Sequence, residues 1–177
     1  MNWFRKEVQK AGYKGLDLQL TLRREDGNVT GIAGDNTGTQ SEVLKGLGCD
    51  GITHYQYCHF INIDREYEDI NADAYKEWDR LDQAYDIPYY PHVSIGWDNN
   101  PRFEMFRPGV VKNNTPENFE KALKVAKEYV DKHPNQAPLI TINSWNEWTE
   151  TSYLMPCTMY GYGYLNAVKN VFMKEKK

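Results

Sequence analysis

Two carboxylates stand three residues apart, between and beside two indoles, in Trp145-Asn146-Glu147-Trp148-Thr149-Glu150. Paired carboxylates divide acid and base duties when their surroundings push their pKa values apart, which makes Glu147 and Glu150 the candidate catalytic pair. Trp145 and Trp148 offer flat apolar faces of the kind on which pyranose rings stack, and with Asn146 they are candidate substrate contacts. A plainer description is two solvated acids in a loop. In a helical turn, acids at i and i+3 share one side; in an extended segment they point to opposite faces.

Other candidates lie upstream. In Trp97-Asp98-Asn99-Asn100-Pro101-Arg102, Asp98 suits a sugar hydroxyl as well as a turn, and Arg102 suits a substrate as well as a surface acid. Trp97 flanks them, and His54 and Tyr55 close an earlier apolar run. His92 lies deeper in its run and reads as structural, and His59 and His133 have no partner motif. No cluster has the spacing of metal ligands, so neither a metal nor another cofactor is expected. Cys49, Cys58 and Cys157 are odd in number and form no Cys-x-x-Cys pair, which argues against a disulfide framework or a structural zinc site.

These residues must be positioned by an alternation of extended and helical patterns. Extended signals fall at 15–22, 50–57, 91–96 and 139–144, about four strands with some five helices among and around them. The clearest helix runs from Thr115 to about Lys132, with Thr115 as N-cap, Pro116 in the first turn, and Phe119, Ala122, Leu123, Ala126 and Val130 on one face. Tyr75, Trp78, Leu81 and Tyr85 mark another after Asn71; Thr39-Gln40-Ser41-Glu42 reads as a capping box opening a helix that stops at Gly48. A last helix carries Leu165, Val168 and Phe172.

Strands separated by helices imply parallel pairing and the α/β class. The segments that follow the strands are long, and that edge is where barrels and open parallel sheets gather function. Parity sharpens the expectation. Ile140 and Ile142 take one face against Leu139, Thr141 and Asn143, and Val93 and Ile95 oppose His92, Ser94 and Gly96. Strands with one polar face suit a barrel interior near its mouth better than a doubly wound sheet. A closed barrel needs eight strands and about 250 residues, so residues 1–177 read as a single partial domain, the C-terminal half of a (β/α)8 TIM barrel of about four parallel strands with flanking helices. A standalone open α/β domain is the alternative. Half a barrel exposes two strand edges, which predicts self-association of the isolated chain.

With the acids placed after a final strand, Asn143-Ser144-Trp145-Asn146-Glu147-Trp148-Thr149-Glu150 resembles the signature of the family 99-like glycoside hydrolase domain, whose relatives include proteins of surface polysaccharide biosynthesis. Residues 94–102, the helix opening at 115–119 and residues 153–165 resemble it in the same order. The resemblance implies a (β/α)8 barrel that hydrolyses glycosidic bonds in polysaccharides or oligosaccharides by a retaining mechanism. Glu147 would deprotonate the sugar's own 2-hydroxyl, giving an anhydro intermediate, and Glu150 would protonate the leaving oxygen, the roles reversing when water enters. The family usually has a glycine after the second glutamate and later an acid before proline; here Thr151 and Met155 stand in those places, and Cys157 replaces a common aspartate.

Two other functions compete. A glycosyltransferase or other polysaccharide-biosynthesis protein would need contacts to a phosphate-bearing donor, yet no Gly-rich strand-to-helix loop is present. A glycan-binding module without turnover fits a barrel lacking half its wall. In every case the partner is a carbohydrate. Lys plus Arg number 21 against 25 acids, a net charge of -4 with scattered basic residues, which disfavours nucleic acid. No run reaches membrane-spanning length, and the N-terminus carries no signal peptide pattern. The compartment is therefore open: periplasmic or extracellular if an N-terminal half precedes this chain, otherwise cytoplasmic.

Overall fold

The computed structural model describes residues 2–23, 29–30 and 36–173. In chain order these form α1 (Asn2–Lys10), β1 (Gln19–Leu22), β2 (Val29–Thr30), β3 (Asn36–Gly38), α2 (Gln40–Leu47), β4 (Gly51–His54), α3 (Tyr67–Ala84), β5 (His92–Ser94), α4 (Pro116–Lys132), β6 (Thr141–Asn143) and α5 (Gly163–Phe172). The class is α/β. All four expected strands are present, each shorter than its apolar run, and β2 with β3 adds a small antiparallel pair that the sequence pattern did not predict.

Helix boundaries follow local chemistry. Thr39 and Glu42 cap α2 reciprocally, and Gly48 ends it in the left-handed region at φ 66°. The Thr115 hydroxyl accepts from the Asn118 N–H to open α4. Its buried face is Phe119, Ala122, Leu123, Ala126 and Tyr129; Tyr129 takes the place expected of Val130, which is only half-buried. The α3 helix begins at Tyr67, well before Asn71, because Tyr67 and Ile70 add a further buried turn. Asn71 lies inside the helix, its Oδ1 accepting from the Tyr57 hydroxyl at 3.0 Å.

β1 pairs in parallel with β4, Gln19 opposite Gly51 through Leu22 opposite His54, and β5 pairs in parallel with β6, His92 opposite Thr141 through Ser94 opposite Asn143. A parallel bridge between Ile52 and Tyr89 joins the two pairs, with Ile52 N–H donating to Pro88 O and Tyr90 N–H to Ile52 O. The order is thus β1-β4-β5-β6. Among the described residues, β1 and β6 each have a named strand partner on one side only.

The parity expected of the strands is visible in their contacts. Ile52, Val93 and Ile95 are fully buried with the helix residues Trp78, Leu81, Phe119 and Leu123. The other face carries a polar layer: Thr53 Oγ1 meets Thr141 Oγ1 at 2.9 Å, and His92 bonds Thr141 Oγ1 at 2.8 Å and Ser94 Oγ at 3.1 Å. Buried polar groups persist where they satisfy one another, as these do. Burial holds His92 neutral, its pKa pushed down to about 3.

Candidate functional site

The chain leaves β6 through a cis Asn143–Ser144 peptide and folds back on itself. Glu147 and Ser152 exchange backbone hydrogen bonds at 3.1 Å in both directions, and Ser144 Oγ donates to Ser152 O at 2.7 Å. The closed loop contains one 3₁₀ turn, Trp148–Glu150, with Glu147 as its N-cap and Glu150 N–H donating to Glu147 O. In a 3₁₀ turn, side chains at i and i+3 eclipse, so the two carboxylates share a side. Arg102 confirms the placement: Nη1 donates to Glu150 Oε1 at 2.9 Å, Nη2 to Glu147 Oε2 at 3.2 Å, and Nε to Thr149 Oγ1 at 2.8 Å.

The surroundings of the two acids differ. Glu147 is half-buried, whereas Glu150 is 8% exposed and its Oε2 is buried with no hydrogen-bond partner among the described residues. Nearby, the Cys58 thiol is pushed up to about 12, first by burial and then by the charge of Glu150.

Arg102 is delivered by the loop after β5. Asp98 Oδ1 accepts from both the backbone and the side-chain nitrogen of Asn100, opening a 3₁₀ turn at Asn100–Arg102. Asn100 Oδ1 accepts from Arg107 N–H at 2.6 Å, which fixes the loop's return. Backbone bonds then dock this loop on the glutamate turn: Asp98 N–H donates to Glu150 O at 2.9 Å, and Thr151 Oγ1 donates to Asp98 O at 3.1 Å. The structure thus gives Asp98 the turn-making task that was its plainer description. Thr151 adopts the left-handed region at φ 51°, a conformation that is an outlier for a β-branched residue.

Trp145 and Trp148 are 54% and 44% exposed, and Trp148 stacks one face on Tyr153 with ring centres 4.1 Å apart. Asn146 is exposed, and its carbonyl accepts from Trp148 N–H. Trp97 is half-buried and packs against the core. Tyr55 follows Thr53 by two residues and is 46% exposed, its nearest ring neighbour being His59. His54 is different: it sits on the helix side of β4, buried, bonded to Tyr89 OH at 3.0 Å and stacked on Phe60 at 3.8 Å. The structure therefore does not bring His54 to the glutamates, because alternation places it with Ile52 and away from Thr53. Burial pushes its pKa down to about 3.

A buried trio beneath the turn was not singled out by the sequence as functional. Gln56 Nε2 donates to Asn143 Oδ1 at 2.7 Å, and Ser152 Oγ donates to the same oxygen at 2.8 Å. Strand parity already put Asn143 on the polar face; nothing local to Gln56 or Ser152 signalled their contact. Among the described residues no group of three or more His, Cys, Asp or Glu could hold a metal ion, and no helix is long and apolar enough to cross a membrane.

A family described as glycosyltransferase WbsX matches residues 1–168, nearly the whole chain. The chain belongs to the WbsX family. This accords with the resemblance carried by the segment from Asn143 to Glu150, since relatives in surface polysaccharide biosynthesis were part of it. Two curated relatives, both called "Uncharacterized protein WxcX" and from two strains of Xanthomonas campestris pv. campestris, are 29% identical over 90 residues, 50% of this chain. The match covers 13% of those relatives' own length. No solved structure matches the chain. Within the WbsX family this chain thus brings two carboxylates, one guanidinium and two half-exposed indoles together from the loops after β5 and β6.

Proposed function

We propose that this WbsX chain carries the catalytic end of a glycan-cleaving enzyme, with residues 1–177 as the second half of a (β/α)8 barrel. The observation that carries the reading is Arg102 bound to Glu147 and Glu150 together, since it requires the two acids to share one side of their turn. Four parallel strands in consecutive order, with the polar layer and the long loops on one side, are what half a barrel would present. The open sides of β1 and β6 are where the isolated chain would self-associate.

Glu147, the more open acid, takes the proton of the substrate's 2-hydroxyl, whose oxygen attacks the anomeric carbon. Glu150 gives a proton to the departing glycosidic oxygen, and water reverses both transfers when it opens the intermediate. Arg102 bridges the two carboxyl groups while the site is empty, and substrate must share or displace it. Trp145 and the open face of Trp148 supply stacking surface, with Asn146 in the same loop, Trp97 and Asp98 in the loop after β5, and Tyr55 directly after β4. In the complete gene product, Glu147→Gln or Glu150→Gln should abolish release of reducing ends from mannans and related polysaccharides while binding stays measurable. Unchanged turnover in both variants would sink the proposal.

The family's name favours a second reading, glycosyl transfer, in which a glutamate deprotonates the acceptor hydroxyl and a phosphate-bearing donor leaves. The cation seen at the glutamates, Arg102, is already engaged by both of them. Thermal-shift titration with nucleotide sugars separates the readings: stabilisation by a nucleotide sugar, with no reducing ends released from any glycan, selects transfer.

A further inference from the structure

Two buried polar atoms near the turn lack partners among the described residues: Asn143 Nδ2 is a donor, and Glu150 Oε2 donates while it holds the carboxyl proton and accepts once that proton has been given up. Asn143 is 2% exposed and Glu150 8%. Orphaned buried groups of this kind are costly, and a bound oxygen is the usual remedy.

The orientation of the Asn143 amide is fixed by a chain of bonds that begins at an unambiguous donor. Tyr57 N–H donates to Gln56 Oε1 at 2.9 Å, so the other end of that amide is Nε2. Gln56 Nε2 donates to Asn143, so the atom it meets is Oδ1, and Ser152 Oγ donates to the same atom. Both locks hold Oδ1, and Nδ2 is left as the free donor. Ser152 also ties Asn143 to the acids, for its backbone is paired with Glu147 at the foot of the turn that carries Glu150.

We propose that Asn143 Nδ2 and Glu150 Oε2 bind one and the same oxygen, the glycosidic oxygen that joins the departing sugar to the bond being cleaved. This rests on the glycosidase reading above. An oxygen there has two lone pairs. One takes the proton from Glu150 as the bond to the anomeric carbon breaks, and the other accepts from Asn143, so the electron pair left on the oxygen is stabilised from two sides. The product hydroxyl then donates back to the Glu150 carboxylate and still accepts from Asn143. Gln56 and Ser152 are positioning residues, acting only through the amide.

The test uses the complete gene product and the substitution Asn143→Asp, which keeps an acceptor for both locks and removes the donor. Gluco- and manno-oligosaccharides are the substrates, compared with the dinitrophenyl glycoside of whichever sugar is released, whose leaving group departs without a proton. For the oligosaccharide, kcat/KM should fall about 100-fold, as for other single donors of this kind, and for the dinitrophenyl glycoside by less than about fivefold. Equal falls on both substrates, or none, overturn the inference and leave the glutamate pair standing. No turnover of any glycan by the parent protein refutes the glycosidase reading, and this inference with it. Should Asn143→Asp fail to unfold cooperatively, a crystal structure of the parent with bound oligosaccharide decides: a glycosidic oxygen within hydrogen-bond reach of Asn143 Nδ2 supports the inference, and a water or another sugar oxygen there overturns it.

Discussion

Arg102 binds two carboxylates of different burial, so its couplings to them should differ by an amount the structure sets. The Glu150 side chain is 11% exposed, the Glu147 side chain 40% and the guanidinium 41%. A hydrogen bond to a charged group contributes about 1.5–3 kcal/mol when buried. Solvent reaches the guanidinium and screens the Glu150 pair, bringing its expected coupling to about 1–2 kcal/mol. The Glu147 pair, longer at 3.2 Å and open at both ends, should contribute about 0.2–1 kcal/mol. Two double-mutant cycles measure this, combining Arg102→Met with Glu150→Gln and with Glu147→Gln, each stability taken from urea unfolding at pH 7. Arg102→Met alone should cost about 1–3 kcal/mol, because among the described residues Arg102 is the last side-chain donor to a nearly buried carboxylate. Raising the salt should erase the Glu147 coupling first. If the Glu147 coupling equals or exceeds that of Glu150, or if Arg102→Met costs nothing, the argument that burial separates the two acids is wrong.

Two further outcomes follow from backbone geometry and from buried histidines. At φ 51°, residue 151 should favour glycine over alanine even though each loses the bond from Thr151 Oγ1 to Asp98 O. Relief of left-handed strain contributes about 1–2 kcal/mol and glycine's unfolded-state entropy takes back part of it, so Thr151→Gly should exceed Thr151→Ala in urea stability, and the reverse order would exclude this conformation. His54 and His92 stay neutral in the fold down to about pH 3, while in the unfolded chain they take up protons near the ordinary histidine value of 6.5. The unfolded state then binds more protons, so stability is full above pH 6.5 and is lost as pH falls from there toward 3. Between pH 6.5 and 5 each histidine should cost about 2 kcal/mol; urea midpoints that do not fall over that range would contradict the neutral, buried assignment.

The places of the four parallel strands, the caps of α2 and α4, and the polar face of the sheet were legible because each rests on local chemistry. Thr39 with Glu42, Thr115 with Pro116, and the alternation of His92, Val93 and Ser94 need no distant partner to be read. The start of α3 was not legible: Tyr67 and Ile70 add a buried turn ahead of Asn71, whereas the regular apolar spacing begins only at Tyr75, Trp78 and Leu81. His54 misled for a related reason. It ends β4, where ligand contacts gather, but parity with Ile52 turns it toward Tyr89, and a strand only four residues long gives little room to count alternation from the sequence.

The glutamate turn shows the limit most clearly. Spacing allowed either a shared side or opposite faces, and the choice was made by the 3₁₀ turn together with Arg102, which lies 45 residues before Glu147 on a loop that Asp98 and Asn100 shape. No window around residues 145–150 contains that information. Thr151 supplies the complementary lesson. A glycine at this place in the resembled family is what a left-handed residue directly after the turn calls for; Thr151 adopts that region here at a backbone cost, and its bond to Asp98 O offsets part of it. An altered residue beside the two acids is therefore not by itself a sign of lost chemistry: what it must allow is the turn, and with Thr151 in the left-handed region the turn places both Glu147 and Glu150 within reach of Arg102.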